Sequence, residues 1–428
     1  RLHADVGPAG SRLDDLARRA AGRLSSAGRL ASGRGDMPAS ANLLSRAVRL
    51  LPRGGNERSA LLHDLAIALW QAGEVEEVEA VYREELEAGG ALRDPVLEAR
   101  SRLALAELRM GVDPASISAE ELQREAERSI PILEEAGADE DLADALLILG
   151  TTHWLDGAIS SMLDVSERAL ALSRVTGSVG RGAANYVGHA LVLGTAHCDE
   201  ALTRLETLVE QVADVRLWEA TAALDLATIY AMLDRPDDAA SRAERSLSTF
   251  EELGQSRWVA AGHHTCGVVH SLAGDAIRAE PEFRAACEWF EQRGEVFELA
   301  VHAVGLANGL LDLDRVDEAR EIAEMSASSA AHYDLEAQIG WRAVIAKVLA
   351  RSGEHVTAAT HASDALRLVR ETEFLDLRAS VFLDMADVAL RAGRRPDAED
   401  AAHEALETYG RKGNRIGSRK AEVFLKAL

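Results

Sequence analysis

Polar and apolar positions repeat with a helical period along this chain. Between Leu375 and Leu390, the apolar residues Leu375, Ala379, Phe382, Ala386, Ala389 and Leu390 fall at i, i+4, i+7, i+11, i+14 and i+15. That is one face of a 3.6-residue helix. Asp376, Ser380, Asp384, Asp387 and Arg391 take the opposite face. Read along the whole chain, the pattern predicts ten hairpins, each an A helix, a short turn and a B helix. The first A helix runs from about Arg12 to Ser32, turns at Gly35-Asp36, and its B helix ends before Pro52. Further turns fall at Gly73-Glu74, near Gly111, at Asp156-Gly157 and near His197-Cys198-Asp199. The last five fall at Asp234, Gly274, Asp314, Gly353 and Gly393. Asn414 to Leu428 reads as a single capping helix, which the end of a repeat array needs. Ser118 followed by Glu121 spells a capping box. Pro131 lies inside a helical run, where a kink or break is expected.

A fixed beat underlies the last five hairpins. Ala239, Ala279, Ala319, Ala358 and Ala398 are 40, 40, 39 and 40 residues apart, each five positions after a turn residue. A B helix crossing its A helix closely at that point admits only a small side chain. A period near 40 with helices on both sides of the turn means stacked helical hairpins. The spacing exceeds the tetratricopeptide (TPR) value of about 34 and reaches the lower end of the HEAT range. The short turns, the following alanine, and Leu149-Gly150 with His153 favour a TPR-like unit. The expected fold is all-α: one domain over residues 1–428, a right-handed α-solenoid of about ten hairpins held by nearest-neighbour contacts. Val112-Asp113-Pro114-Ala115-Ser116 lengthens the third loop and predicts a change of curvature near 111–118.

Charge narrows the partners. The formal net charge of −24 argues against nucleic acid and anionic membranes. It is uneven, because residues 1–60 hold eleven arginines against five acids. The tail is also basic, with Arg411, Lys412, Arg415, Arg419, Lys420 and Lys426 against Glu422. These ends read as solvated helix faces or as docking surfaces for neighbouring domains. Of the 47 basic residues all but four are arginine, the usage expected of a GC-rich bacterial coding sequence. Cys198, Cys266 and Cys287 are too few and too scattered for a disulfide framework, so a reducing cytoplasm is the expected setting. No apolar run is long enough to span a membrane. The sequence begins at Arg1, which suggests a segment of a larger protein.

Candidate chemistry is sparse. His263, Cys266 and His270 share one side of a helix and suit zinc by type, but they lack a fourth ligand and any paired motif nearby. They form a weak metal candidate, and the expectation is no metal and no cofactor. His197-Cys198-Asp199 has nucleophile and base types, but adjacent residues on a turn do not face one another. No phosphate loop is present, and Gly177, Gly180 and Gly182 read as an inter-repeat loop. Aromatics on A helices are the better clue: Trp70, Trp154, Tyr186, Trp218, Trp258 and Trp341. They anchor a peptide on the concave face or fill gaps between repeats. Arg257, His264 and Arg342 are their polar neighbours.

Two stretches carry a family likeness. Leu16-Ala17-Arg18-Arg19-Ala20-Ala21, Ala27-Gly28, Arg34-Gly35-Asp36 and Leu50-Leu51-Pro52 open the array. Tyr409-Gly410-Arg411-Lys412-Gly413-Asn414 closes it. Together they resemble the TPR-like region of bacterial signalling proteins built from a class III adenylate/guanylate cyclase domain, an AAA-type ATPase domain and a long repeat array. Related arrays occur in LuxR-type regulators. The resemblance implies a cytoplasmic, non-enzymatic sensor or interaction arm. It would bind a protein, a peptide or a small effector and regulate upstream domains of the same chain. No family catalytic residue maps to any position here. A pure assembly scaffold and the sensing domain of a transcriptional regulator are the alternatives. The expected ligand-binding residues are Trp154, Tyr186, Trp218, Trp258, His264 and Trp341.

Overall fold

The computed structural model describes residues 11–32, 36–72, 74–112, 116–176 and 182–428. Among them are 21 α-helices and no strand. In chain order these are α1 (Ser11–Ser32), α2 (Met37–Leu50), α3 (Asn56–Ala72), α4 (Val75–Leu92), α5 (Pro95–Val112), α6 (Ala119–Ala136) and α7 (Asp139–Leu155). Next come α8 (Ile159–Thr176), α9 (Ala183–Leu193), α10 (Cys198–Gln211), α11 (Arg216–Met232), α12 (Pro236–Glu252), α13 (Ser256–Leu272) and α14 (Ala276–Arg293). The series ends with α15 (Val296–Asp312), α16 (Val316–Ser329), α17 (Leu335–Arg351), α18 (His355–Arg370), α19 (Leu375–Arg391), α20 (Arg395–Lys412) and α21 (Arg415–Ala427). Odd-numbered helices up to α19 are the A helices, and α21 is the cap.

The beat has a backbone cause. All five of its turn residues adopt positive φ: Asp234 at 64°, Gly274 at 80°, Asp314 at 59°, Gly353 at 83° and Gly393 at 73°. Each sits in a Schellman-type stop, as where Arg235 N–H donates to Tyr230 O at 2.9 Å and Glu354 N–H to Leu349 O at 2.9 Å. Glycine pays no steric penalty there, and aspartate is among the few others that visit this region. The A helices of these five repeats are all 17 residues long. The five alanines are fully buried, as close helix crossing requires.

Several expectations need correction. Pro131 does not break α6, which runs on to Ala136, and Pro281 likewise lies inside α14. Leu390, assigned to the apolar face, is 38% exposed. On the polar face of α19 two of the acids are partnered within the unit. Asp376 accepts from Asn414 Nδ2 at 2.7 Å, and Asp384 lies 2.9 Å from Lys347 Nζ. Gly35, Gly73, Asp113, Pro114, Ala115, Gly177 and Gly180 lie outside the described residues, and with the loop at 113–115 goes the expected curvature change. Their described neighbours agree with the turns. Asp36 caps α2 by accepting from Ala39 N at 3.1 Å, and Ser118 and Glu121 form the capping box.

The chain divides into two compact units, residues 1–148 and 149–428. In the first, Leu44, Leu62, Leu65, Val78, Leu105 and neighbours make the core. Glu85, fully buried, accepts from Arg100 at 2.6 Å, with Asp141 3.5 Å away on the other side of that guanidinium.

The second unit departs from a nearest-neighbour array, because its last helices return to its first. Lys412 is fully buried, and its ammonium donates to Leu191 O at 3.1 Å and Gly194 O at 2.8 Å, more than 200 residues earlier. Glu373 N–H donates to Gly157 O at 2.8 Å, and Ser160 N–H to the Glu373 carboxylate at 2.6 Å. Arg415 pairs with Asp199 and Arg419 with Asp234. Ile159, Met162 and Ala190 share one apolar cluster with Phe374, Phe382, Tyr409 and Ala421. The helices of this unit thus form a closed ring. Of the basic tail, Lys412 is buried in this closure, while Arg415 and Arg419 make exposed ion pairs with the same unit and Arg411, Lys420 and Lys426 stay exposed.

Candidate functional site

Ring closure brings side chains from six successive A helices into one interior. Trp154 on α7 is the hub. Its indole N–H donates to Glu336 on α17 at 2.8 Å, across 182 residues of sequence. The same indole lies edge-on to Phe297 on α15, with ring centroids 6.3 Å apart, and near His189 on α9 at 6.2 Å. His189 Nδ1 is 3.3 Å from the carboxylate of Asp225 on α11. Gly188 makes that pair possible, since a Cβ there would stand 2.1 Å from Asp225 Oδ2. On α13, Arg257 donates to Glu295 at 3.1 Å and also pairs with Glu298, on α15. His264 of α13 stacks on His302 of α15, with centroids 4.4 Å apart and planes 14° apart. Phe283 and Phe290 abut these imidazoles, and Gly305 leaves room for His264 and Phe283.

The electrostatics follow from this placement. Although 42% of its side-chain surface is accessible, His189 sits deep among protein atoms, so that surface opens to the ring interior. Burial opposes its charge, but Asp225 and Glu336 outweigh burial and hold its pKa at about 9. His302 is driven the other way, to about 3, by burial and by Arg257 and His189. His264 is also held well below its ordinary value, by burial and His302. Both stacked imidazoles are therefore neutral at pH 7. Burial raises Asp334 to about 7, with Glu336 and Glu298 adding to the effect. Glu336 is raised by burial against the opposing Trp154 hydrogen bond.

A pH dependence results. A histidine whose folded pKa lies above its unfolded value of about 6.5 stabilises the fold fully below that value. The stabilisation drains away between pH 6.5 and 9. His189→Gln should therefore flatten the fall in melting temperature over that window. Parallel slopes in the variant and the natural chain would contradict this.

The expected site residues divide. Trp154 and His264 face this interior. Tyr186 shares a 2.8 Å hydroxyl hydrogen bond with Thr151. Trp218 and Trp258 pack edge to face on each other at 6.2 Å and against the core. Trp341 carries Arg342 over its ring at 4.1 Å and neighbours His361. Trp70, in the first unit, is 45% exposed. His189, Asp225, Glu298, His302, Asp334 and Glu336 escaped sequence reasoning, because their partners sit on other helices, the adjacent A helix for His189, Asp225, Glu298 and His302 and one 182 residues away for Glu336, and Asp334 reads only as a helix cap. Among the described residues, no three His, Cys, Asp or Glu side chains are grouped to hold a metal ion. His263 instead meets Glu282 at 2.7 Å, and Cys266 is a core residue whose thiol burial pushes up to about 12. Cys198 is likewise buried and pushed up to about 12, while His197 caps α10. No described helix is long and apolar enough to cross a membrane.

With this geometry, the chain is an all-α solenoid of TPR-like hairpins, and solved TPR-repeat structures share its fold. One is the APC/C hetero-tetramer Cut9–Hcn1, at 14% identity over 96% of this chain and 84% of that one, with a TM-score of 0.57. Another is a Rap protein complexed with competence and sporulation factor, at 13% identity over 86% of this chain and 99% of that one, with a TM-score of 0.61. No protein-family model and no curated protein sequence matches the chain.

Proposed function

We propose that the chain is a non-enzymatic interaction module that holds a protein or peptide inside the 149–428 ring. The observation carrying this reading is a set of buried polar atoms with no protein partner: Asp225 Oδ2, His264 Nδ1, both nitrogens of His302, and Asp334 Oδ2. A buried polar atom left unpaired costs about 1–3 kcal/mol, and a ligand with complementary groups removes that cost. The neighbours point the same way, since one is a hetero-tetramer and the other is complexed with a factor. Photo-crosslinking tests the reading. Benzoylphenylalanine replacing Phe297 should capture the partner, whereas the same group at Ile277, 77% exposed, should not. Capture at Ile277 alone would place binding on another face.

The resemblance to cyclase–ATPase proteins extends the proposal: the module acts as a sensor arm for an upstream ATPase or nucleotidyl cyclase. Coupling of that kind needs two states with different ligand affinity. The seam at Lys412 and Gly157 offers them, as a closed and an opened ring. Nucleotide turnover by the joined protein, with and without residues 61–410, decides the matter. Unchanged turnover would reject regulation and leave a scaffold.

A further inference from the structure

We infer that the ring interior holds a cationic group, the guanidinium or ammonium of a basic ligand, beside the Trp154–Phe297 pair and against the carboxylates of Glu298, Glu336 and Asp334. This rests on the reading of the ring as a binding module and adds the chemistry of what it binds.

The charge balance selects the sign. Among the described residues, five carboxyl groups face this interior, those of Asp225, Glu295, Glu298, Asp334 and Glu336, while the cations beside them are His189 and Arg257. Both cations are already engaged, His189 with Asp225 and Arg257 with Glu295 and Glu298. The two histidines that could add positive charge are held neutral. Asp334 supplies the independent structural sign. It is 3% exposed, and its Oδ1 caps α17 by accepting from Ala337 N at 3.1 Å. Its Oδ2 has no protein partner. A buried carboxyl oxygen among other carboxylates is satisfied by a cationic donor, and charge-assisted hydrogen bonds are the strong ones. The aromatic pair adds cation–π attraction, which is largest on indole and in a desolvated site.

Proton linkage gives a second signature. Asp334 is faced by Glu336 on its own helix, Glu298 on α15 and the adjoining Tyr333. Burial lifts its pKa to about 7, so a proton is shared with it near neutral pH, and an arriving cation expels that proton.

The test is isothermal titration of the 428-residue chain at low ionic strength with L-argininamide, L-lysinamide and a blocked arginine-containing pentapeptide. N-acetylglycinamide is the uncharged control. The three arms separate guanidinium from ammonium, and a free cation from one borne on a chain. Saturable binding of at least one cation is expected, weakened tenfold or more by Glu298→Gln and by Glu336→Gln and unchanged by Glu399→Gln on the outer surface. Proton release at pH 7, read from two buffers of different ionisation enthalpy, should accompany it. Melting curves and circular dichroism establish that the variants are folded. Absence of saturable binding, equal binding of the neutral control, or unweakened binding by both glutamine variants would overturn the inference. If crosslinking at Phe297 still captured a partner, the module would stand and only its cation preference would fall.

Discussion

Lys412→Met should cut the ring open at its C-terminal end and lower stability by about 3 kcal/mol, since each stranded carbonyl costs roughly 1–3 kcal/mol. The ammonium is fully buried and is the donor to both Leu191 O and Gly194 O. Methionine matches the volume and the flexible stem but cannot donate, so packing survives while both carbonyls lose their bond. Burial already works against charge on this lysine, partly countered by Cys198 and Asp376. The amine is thus retained for its bonds, since burying it earns nothing by solvation. The loss should concentrate in helices α9, α10, α20 and α21, leaving α13 to α17 protected. Hydrogen exchange read by mass spectrometry along the chain measures that distribution. Uniform loosening, or none, would place the stabilisation elsewhere.

Gly157→Val should open the same seam from its other end. Gly157 has a φ of +68°, where a β-branched residue is strongly strained. A Cβ there would stand 2.5 Å from Thr372 Cβ and 3.2 Å from the Thr372 Cα. A side-chain rotation does not relieve a clash with backbone, so the loop after α18 must move away. It would take with it the Glu373 bonds to Gly157 O and Ser160 N. Strain and overpacking together are expected to remove about 2–4 kcal/mol. Because both substitutions break one closure, the double variant should lose less than the sum of the two single losses. Chemical denaturation of the four proteins tests this, and strict additivity would mean that the two contacts are independent.

The hairpins were legible because they are local. The turn at Asp234 and the alanine at 239 announce themselves within one repeat, since a left-handed stop and a close crossing each need a particular residue type. Closure was not legible. Lys412 reads as one more basic residue in a polar tail, and only coordinates reveal its partners near residue 191. The partners of the polar face of α19 were hidden for the same reason. Asp376 and Asp384 read only as polar positions, and Asn414 and Lys347 meet them from other helices or turns. The candidate site falls between these cases. Trp154 and His264 stood out as unusual residues on A helices, whereas Glu336 matters only because a tryptophan 182 residues away donates to it. Trp218 and Trp258 carried the same sequence signal as Trp154 and were spent on packing. Composition alone does not separate the two uses.

Exchange of one backbone amide tests ring closure most directly. Glu373 lies in the short link between α18 and α19, and its N–H donates to Gly157 O, 216 residues earlier in the chain. In a closed ring that amide exchanges slowly, like those of the flanking helices, and becomes fast in Gly157→Val. Exchange at the rate of an unstructured link in the unaltered protein would contradict the ring.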